Sequence, residues 1–242
     1  MNQKKLLAIL VFALSTINAN ASDKVSSPNI TKDQLTFELR SGYDWDEVPS
    51  KDNHQVDKFV AAYGITDRLR PEVKAIYDNP SNDNGKIVSY ESELRYQIFK
   101  PEEAFLSTAI EANFKWQTQK DVADRVEVKL LIARPFGNFN SVANLSVEQQ
   151  FGEYSKAGQD YRFGWSNTYK ANDYFSPGVE IYGDTGIKQD NLSYNEQKYY
   201  MGPVIYGKLT NQIKYDVGYL FGISDAAPDS RLKAIISYNV QF

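Results

Sequence analysis

The amino-acid sequence predicts an all-β fold, a twelve-stranded antiparallel transmembrane β-barrel, and three observations predict it. Apolar and polar residues alternate through twelve segments of the 242-residue chain, as in strands with one apolar and one polar face. Longer and tighter connections alternate between these segments, which is typical of outer-membrane barrels. The last segment continues to the final residue, Phe242, and a closed barrel must pair its last strand with its first.

The chain begins with the features of a secretory signal peptide. Lys4 and Lys5 precede the apolar run 6–14, and an Ala-Asn-Ala sequence ends at Ala21. This run is much shorter than the roughly 20 residues that a transmembrane helix needs. We therefore expect a signal peptide at 1–21, a short periplasmic lead at 22–33 and an outer-membrane barrel at 34–242.

The first six strands follow in order, separated by residues that favour turns, such as the Asn, Pro, Asp and Gly residues of 79–85. Each has an apolar row that is expected to face lipid. The predicted strands and rows are 34–40 (Leu35, Phe37, Leu39), 54–65 (Phe59, Ala61, Tyr63, Ile65), 69–78 (Leu69, Val73, Ala75, Tyr77), 86–99 (Tyr90, Leu94, Tyr96, Ile98), 104–117 (Leu106, Ile110, Ala112, Phe114, Trp116) and 124–136 (Val126, Val128, Leu130, Ile132).

Six further segments complete the barrel. Pro177 weakens the ninth strand, and the facing of the tenth stays open because Tyr and aliphatic residues occupy both of its rows. The predicted strands and rows are 141–151 (Ala143, Leu145, Val147, Phe151), 160–170 (Tyr161, Phe163, Trp165, Tyr169), 174–183 (Phe175, Val179, Ile181), 197–208 (unassigned), 213–221 (Ile213, Tyr215, Val217, Tyr219, Phe221) and 230–242 (Leu232, Ala234, Ile236, Tyr238, Val240, Phe242).

The composition agrees with a barrel and excludes several functions. The 17 Tyr and 13 Phe suit aromatic girdles at the two membrane interfaces. A net charge of -4 argues against nucleic acid as a partner. The chain has no Cys and one His, so we expect no disulfide, no thiolate or histidine metal site and no cofactor.

The polar rows are expected to line the lumen, and their basic and acidic residues nearly balance. Two interpretations are open: the charges pair across the interior and close it, or they line a narrow wet channel with little charge preference. The predicted lumen-lining residues are Arg40, Arg70, Lys74, Glu91, Glu93, Arg95, Glu111, Lys115, Arg125, Glu127, Lys129, Glu148, Arg162, Lys170, Lys214, Asp216, Arg231 and Lys233.

Three short pieces resemble a known family. They are 63–69 (YGITDRL), 202–209 (GPVIYGKL) and 221–229 (FGISDAAPD) before a Phe-terminated strand. They are similar to Gram-negative outer-membrane barrels of the phenol-degradation (MetA-pathway) and copper-resistance B-type groups, which implies transport or permeability at the outer membrane. The closing residues Tyr238, Val240 and Phe242 are similar to the signal that the barrel-assembly machinery reads.

An enzyme is the least favoured interpretation. His54, near Asp44 and Asp46 in the predicted loop 43–53, is a conceivable base of a hydrolase at the barrel rim. The sequence fixes no nucleophile beside it, so a solvated loop histidine is the preferred interpretation.

The sequence thus predicts an outer-membrane channel or porin-like transporter for small solutes, with no catalysis. The alternative is a structural or surface-interaction barrel with a charge-plugged lumen. The expected partners are outer-membrane lipid and lipopolysaccharide, the barrel-assembly machinery and small solutes.

Overall fold

The computed structural model describes residues 24–81, 84–186 and 192–242, which form a closed barrel of twelve antiparallel strands. The predicted fold class is confirmed, whereas the predicted signal peptide lies outside the described residues. No helix among the described residues is long and apolar enough to cross a membrane. The strands are β1 (Gln34–Trp45), β2 (His54–Tyr63), β3 (Leu69–Asn79), β4 (Lys86–Phe99), β5 (Ser107–Gln117), β6 (Asp124–Phe136), β7 (Phe139–Phe151), β8 (Gln159–Tyr169), β9 (Ser176–Asp184), β10 (Lys198–Lys208), β11 (Ile213–Gly222) and β12 (Ser230–Gln241).

The barrel closes where the sequence predicts, through antiparallel pairing of β1 with β12. The predicted end of β1 at Arg40 is wrong, because the strand continues to Trp45 and the loop begins after it. The extension is stabilised by two contacts. Asp44 pairs with Arg231 of β12, and the ring of Trp45 packs against Tyr43 at a centroid distance of 4.5 Å.

Longer and shorter connections alternate as predicted except at β4–β5, where the connection is longer than those at 80–85 and 118–123 on either side of it. The connection between β4 and β5 spans 100–106, because Glu103 accepts a hydrogen bond from the Lys100 backbone N–H (3.0 Å) and pairs with Arg68. The β6–β7 turn is tighter than predicted and contains only 137–138. Gly137 adopts a φ of 57° there, a left-handed conformation that glycine accepts without steric cost.

The outer surface carries the apolar rows. Phe59 and Val73 are 55% and 57% exposed, as expected for side chains that face hydrocarbon rather than a protein core. Exposed aromatic residues lie toward both ends of the strands, where they match the two interfaces of a bilayer. They are Trp45, Tyr90, Trp116, Tyr161 and Phe221 toward the longer connections, and Phe99, Phe136, Phe139, Tyr169 and Tyr238 toward the shorter ones.

The structure also settles the facing of β10. Tyr200 and Val204 are buried on its inner row, whereas Met201 and Ile205 are exposed on its outer row. Tyr182 of β9 and Leu220 of β11 are buried beside them, so apolar residues lie on both faces here and polarity does not distinguish the two rows of β10. The buried cluster comprises Val25, Ala133, Val142, Tyr182, Tyr200, Val204, Leu220 and Ala227, with Tyr206 packed against it.

The orientation of the rows can be tested at Leu94, which is 48% exposed on the outer row of β4. We expect Leu94→Arg to lower the free energy of unfolding by about 2–4 kcal/mol, because it places a guanidinium in hydrocarbon. Urea titration of protein refolded into lipid vesicles measures this change. The matched control is Tyr154→Arg in the connection 152–158, which should have no effect; equal stabilities for the two variants would contradict the predicted lipid-facing row.

Candidate functional site

The N-terminal segment 24–30 enters the barrel lumen. The sequence predicts a periplasmic lead at 22–33, but within the described part, 24–33, residues 24–30 contact the inner wall instead. The backbone N–H of Ser26 donates to Asn144 Oδ1 (2.7 Å), and Asn144 Nδ2 donates to the Ser26 carbonyl (2.8 Å). Val25 packs into the apolar cluster, where the absence of a side chain at Gly164 leaves it room. The segment therefore occupies part of the lumen.

Further hydrogen bonds fix this segment near the end with the shorter connections. Ser107 Oγ donates to Asn29 Oδ1 (2.6 Å), and Gln97 Nε2 donates to the same oxygen (3.2 Å). Gln97 Oε1 accepts from the Ile30 backbone N–H (3.1 Å). Arg95 Nη1 donates to the Ser27 carbonyl (3.0 Å). Polar side chains of the wall thus replace water as partners of the segment's backbone.

A dense group of ion pairs fills the wall beside the segment. Glu72 lies within 3.1 Å of Arg40, 3.1 Å of Arg70 and 3.4 Å of Lys74. Arg40 also donates to Glu38 (2.5 Å). These side chains are almost completely buried, so their charges depend on one another for stabilisation.

A second group continues around the wall. Arg95 donates to one oxygen of Glu111, Oε2, through both Nε (2.7 Å) and Nη2 (2.5 Å), and the ionised partners make these hydrogen bonds strong. Lys129 reaches the other oxygen of Glu111 at 2.9 Å. Arg125 and Arg162 pair with Glu148 at 2.8 Å and 3.2 Å. The residues belong to adjacent strands, so strand register sets these distances.

A third group lies on the opposite side, inside the apolar cluster. The Lys233 side chain is 0% exposed and its Nζ lies 2.6 Å from Glu180 and 2.8 Å from Asp216. The hydroxyl groups of Tyr182 and Tyr206 both donate to Glu180, at 3.0 Å in the case of Tyr182. The ammonium group of Lys233 thus compensates the charges of two buried carboxylates.

An open cavity of about 320 Å³ remains between the wall and the N-terminal segment. Twelve predicted lumen residues line it: Arg40, Lys74, Glu91, Glu93, Glu111, Lys115, Arg125, Glu127, Lys129, Glu148, Arg162 and Arg231. The cavity has ten Lys or Arg residues and six Asp or Glu residues along its wall. The lining itself therefore has an excess of basic residues, but Glu38, Glu72 and Asp44 behind it pair with Lys24, Arg40, Lys74 and Arg231 and offset much of that excess.

The remaining six predicted residues lie elsewhere. Arg70, Arg95, Asp216 and Lys233 are on the inner rows but are taken up by ion pairs. Lys214 lies on the inner row of β11 and is exposed at its end. The placement of Lys170 in the lumen is wrong: β8 ends at Tyr169, and Lys170 lies in the turn, 2.9 Å from Asp173.

Several residues around the cavity were not among the predicted lumen-lining residues. Lys24 and Ser26 were missed because a short polar stretch before the first strand carries no signal for insertion into a lumen. Asn113, Asn144 and Ser146 lie on polar rows that the sequence already indicates, but they are uncharged and the sequence does not distinguish them from other polar residues of those rows. Tyr182 and Tyr200 were missed because aromatic residues usually mark the outer rows.

His54 lies at the start of β2, beside Asp78 of β3. Its Nε2 is 2.6 Å from Asp78 Oδ1, and no Ser or Thr hydroxyl forms a hydrogen bond with it among the described residues. Asp44, proposed above as a neighbour, pairs with Arg231 instead.

Comparison with solved structures supports the fold. The chain is similar to a COG4313 outer membrane channel from Pseudomonas putida F1 (TM-score 0.65, 10% identity), covering 91% of this chain and 100% of that one. It is also similar to the NanC porin (TM-score 0.60, 13% identity, 85% and 100% covered) and the KdgM porin (TM-score 0.56, 9% identity, 84% and 98% covered). At these identities the similarity shows the fold alone. No protein-family model and no curated protein matches the sequence.

The buried lysine provides a test of the third ion-pair group. We expect Lys233→Met to lower the free energy of unfolding by about 3–5 kcal/mol, because it leaves Glu180 and Asp216 buried without their cation. Lys214→Met, in which the replaced lysine is exposed on the adjacent strand, is the control and should behave like the wild type. Both values come from urea titrations in the same vesicles, and a Lys233 variant as stable as the control would contradict the assigned role.

Proposed function

We propose that this protein is a narrow channel for small solutes in the outer membrane of a Gram-negative bacterium. The observation that carries the proposal is a cavity lined by charged and polar side chains inside a closed barrel whose outer surface is apolar. An apolar exterior requires a lipid environment, and a polar interior gives water-soluble molecules a path that lipid does not. The porins and the channel named above share this fold.

The segment 24–30 limits the size of the solute in this proposal. It removes part of the cross-section that twelve strands would otherwise leave open, and the cavity beside it suits a small molecule rather than a polymer. Nothing in the arrangement of His54 or the lumen charges calls for a reaction. The proposal therefore assigns permeation and no catalysis.

The alternative function is a structural or surface-interaction barrel with a charge-plugged lumen. The buried ion pairs and the inserted segment favour it, because both reduce the open space. The two functions differ in whether ions cross the barrel.

Outer-membrane lipid and lipopolysaccharide are the proposed surroundings of the exposed rows and aromatic girdles. The family-level proposal, membership of the phenol-degradation or copper-resistance B-type groups, rests on the three short pieces in the sequence. A copper role lacks the Met and His residues that it would require, since the chain has two Met and one His.

Single-channel recording tests the channel. Refolded protein in planar bilayers should give discrete conductance steps, whereas a complete absence of steps would favour the charge-plugged barrel.

The role of the inserted segment can be tested in the same recordings. Deletion of 24–30 should raise the unitary conductance by about twofold or more, because the interior of twelve strands is wider than side chains alone fill. Lys32→Gln, an exposed change at the edge of the same N-terminal stretch, is the control and should leave the conductance unchanged.

The proposed assembly signal can be tested separately. Tyr238 lies exposed on the outer row of β12, and the backbone N–H of Phe242 donates to the Asp33 carbonyl (3.0 Å) where the ring closes. We expect deletion of Phe242 to reduce the amount of folded barrel in the outer membrane while leaving the unitary conductance of assembled protein unchanged. Heat-modifiable migration in gels measures the folded fraction. Normal membrane levels of the truncated protein would refute the signal.

A further inference from the structure

Lys58 lies on the inner row of β2 without a carboxylate beside it. Its cross-strand neighbours are Arg40 on β1 and Ile76 on β3. The residues two positions away on β2 are Val56 and Val60. A cation and three aliphatic side chains cannot accept a hydrogen bond from an ammonium group. Accordingly, Lys58 forms no ion pair or hydrogen bond with the rest of the described chain, although it lines the open cavity.

The nearest acidic group is already shared. Glu91 lies 3.4 Å from Lys74 and 3.5 Å from Lys115, and it accepts a hydrogen bond from Asn113 Nδ2 (2.9 Å). Lys58 also attracts this carboxylate, although the two groups form no ion pair. Lys74 has Glu72 and Glu93 as further partners, so Glu91 is left as the one carboxylate shared by Lys58 and Lys115, and the local charge is positive.

The rest of the wall adds to this excess. Four of the ten basic residues in the lining pair with carboxylates behind it, so the excess rests on the lining lysines without an ion pair, Lys58 and Lys198. The walls of a narrow lumen concentrate their field. Lys198 extends the excess toward the end with the longer connections, because it too lines the cavity without an ion pair to the described residues. A small anion entering from that end would move toward Lys58.

We propose that Lys58 and Lys115 form a binding site for a small anion bearing a carboxylate or phosphate group, and that the lumen selects anions over cations. The inference rests on the proposed channel function and names the charge class of its solutes. Lys58 supplies three N–H donors without an acceptor among the described residues, and Lys115 has only the shared Glu91 at 3.5 Å. An anion therefore completes the arrangement that the strand register leaves open. The cavity volume limits the ligand to a small molecule.

Permeability in planar bilayers tests the selectivity. Under a KCl gradient, the chloride-to-potassium permeability ratio of the wild type should exceed 1. Lys58→Gln should lower the ratio by about two- to fivefold, as expected for loss of one charge in a lumen of intermediate polarity. Lys58→Arg keeps the charge and should keep the ratio. Lys170→Gln removes a lysine in an exposed turn and should also leave the ratio unchanged.

Direct binding provides a second measurement that does not depend on conduction. Calorimetric titration of refolded protein with inorganic phosphate should show binding to the wild type and to Lys170→Gln, and loss of binding in Lys58→Gln. Equal phosphate binding by the Lys58→Gln and wild-type proteins, or a wild-type ratio of 1 or less, would overturn the anion site even if conductance steps are present. Phosphate binding that depends on Lys58 in a protein without conductance steps would support the site and refute the channel.

Discussion

Closure of the sheet into a ring is the constraint on which the rest of this structure depends. Closure sends every second side chain of all twelve strands into one shared interior. Such an interior is wider than wall side chains alone can fill, yet narrow enough to restrict water. Three features fill it: an aromatic and aliphatic cluster on one side, ion pairs along the wall on both sides, and the segment 24–30. The open cavity is what these three leave.

Strand pairing and charge pairing support each other in this interior. Glu111 is the register partner of Arg95 on β4 and of Lys129 on β6, and it bonds with both. A slip of one residue between these strands would turn one partner toward lipid, where a charge is costly. The buried ion pairs contribute little net stability by themselves, but their disruption is expensive. They therefore act against incorrect registers more than they strengthen the correct one.

The fold could be predicted from the sequence because alternation survives in eleven strands and needs no knowledge of neighbours. The facing of β10 could not be predicted, because Tyr200 and Val204 point inward and make both rows apolar. The end of β1 was predicted too early, because the residues after Arg40 resemble a loop in composition. Only a cross-strand partner, Arg231, shows that Asp44 belongs to a strand. The insertion of 24–30 could not be predicted, since it depends on side chains such as Asn144 that are distant in the chain.

The net charge of the candidate site also could not be predicted from the sequence. Counting the inner rows gives near balance, but a count does not say which charges are consumed by neighbours. Glu72 pairs with Arg40, Arg70 and Lys74, so it offsets the charge of cations at the cavity wall, whereas Lys58 has Arg40 and Ile76 beside it and keeps its charge for the lumen. Cross-strand register decides whether a charged side chain is paired with a neighbour or remains unpaired in the lumen. An electrostatic property of the lumen therefore becomes readable only when the register of each strand pair is known, even though every residue that produces it is visible in the sequence.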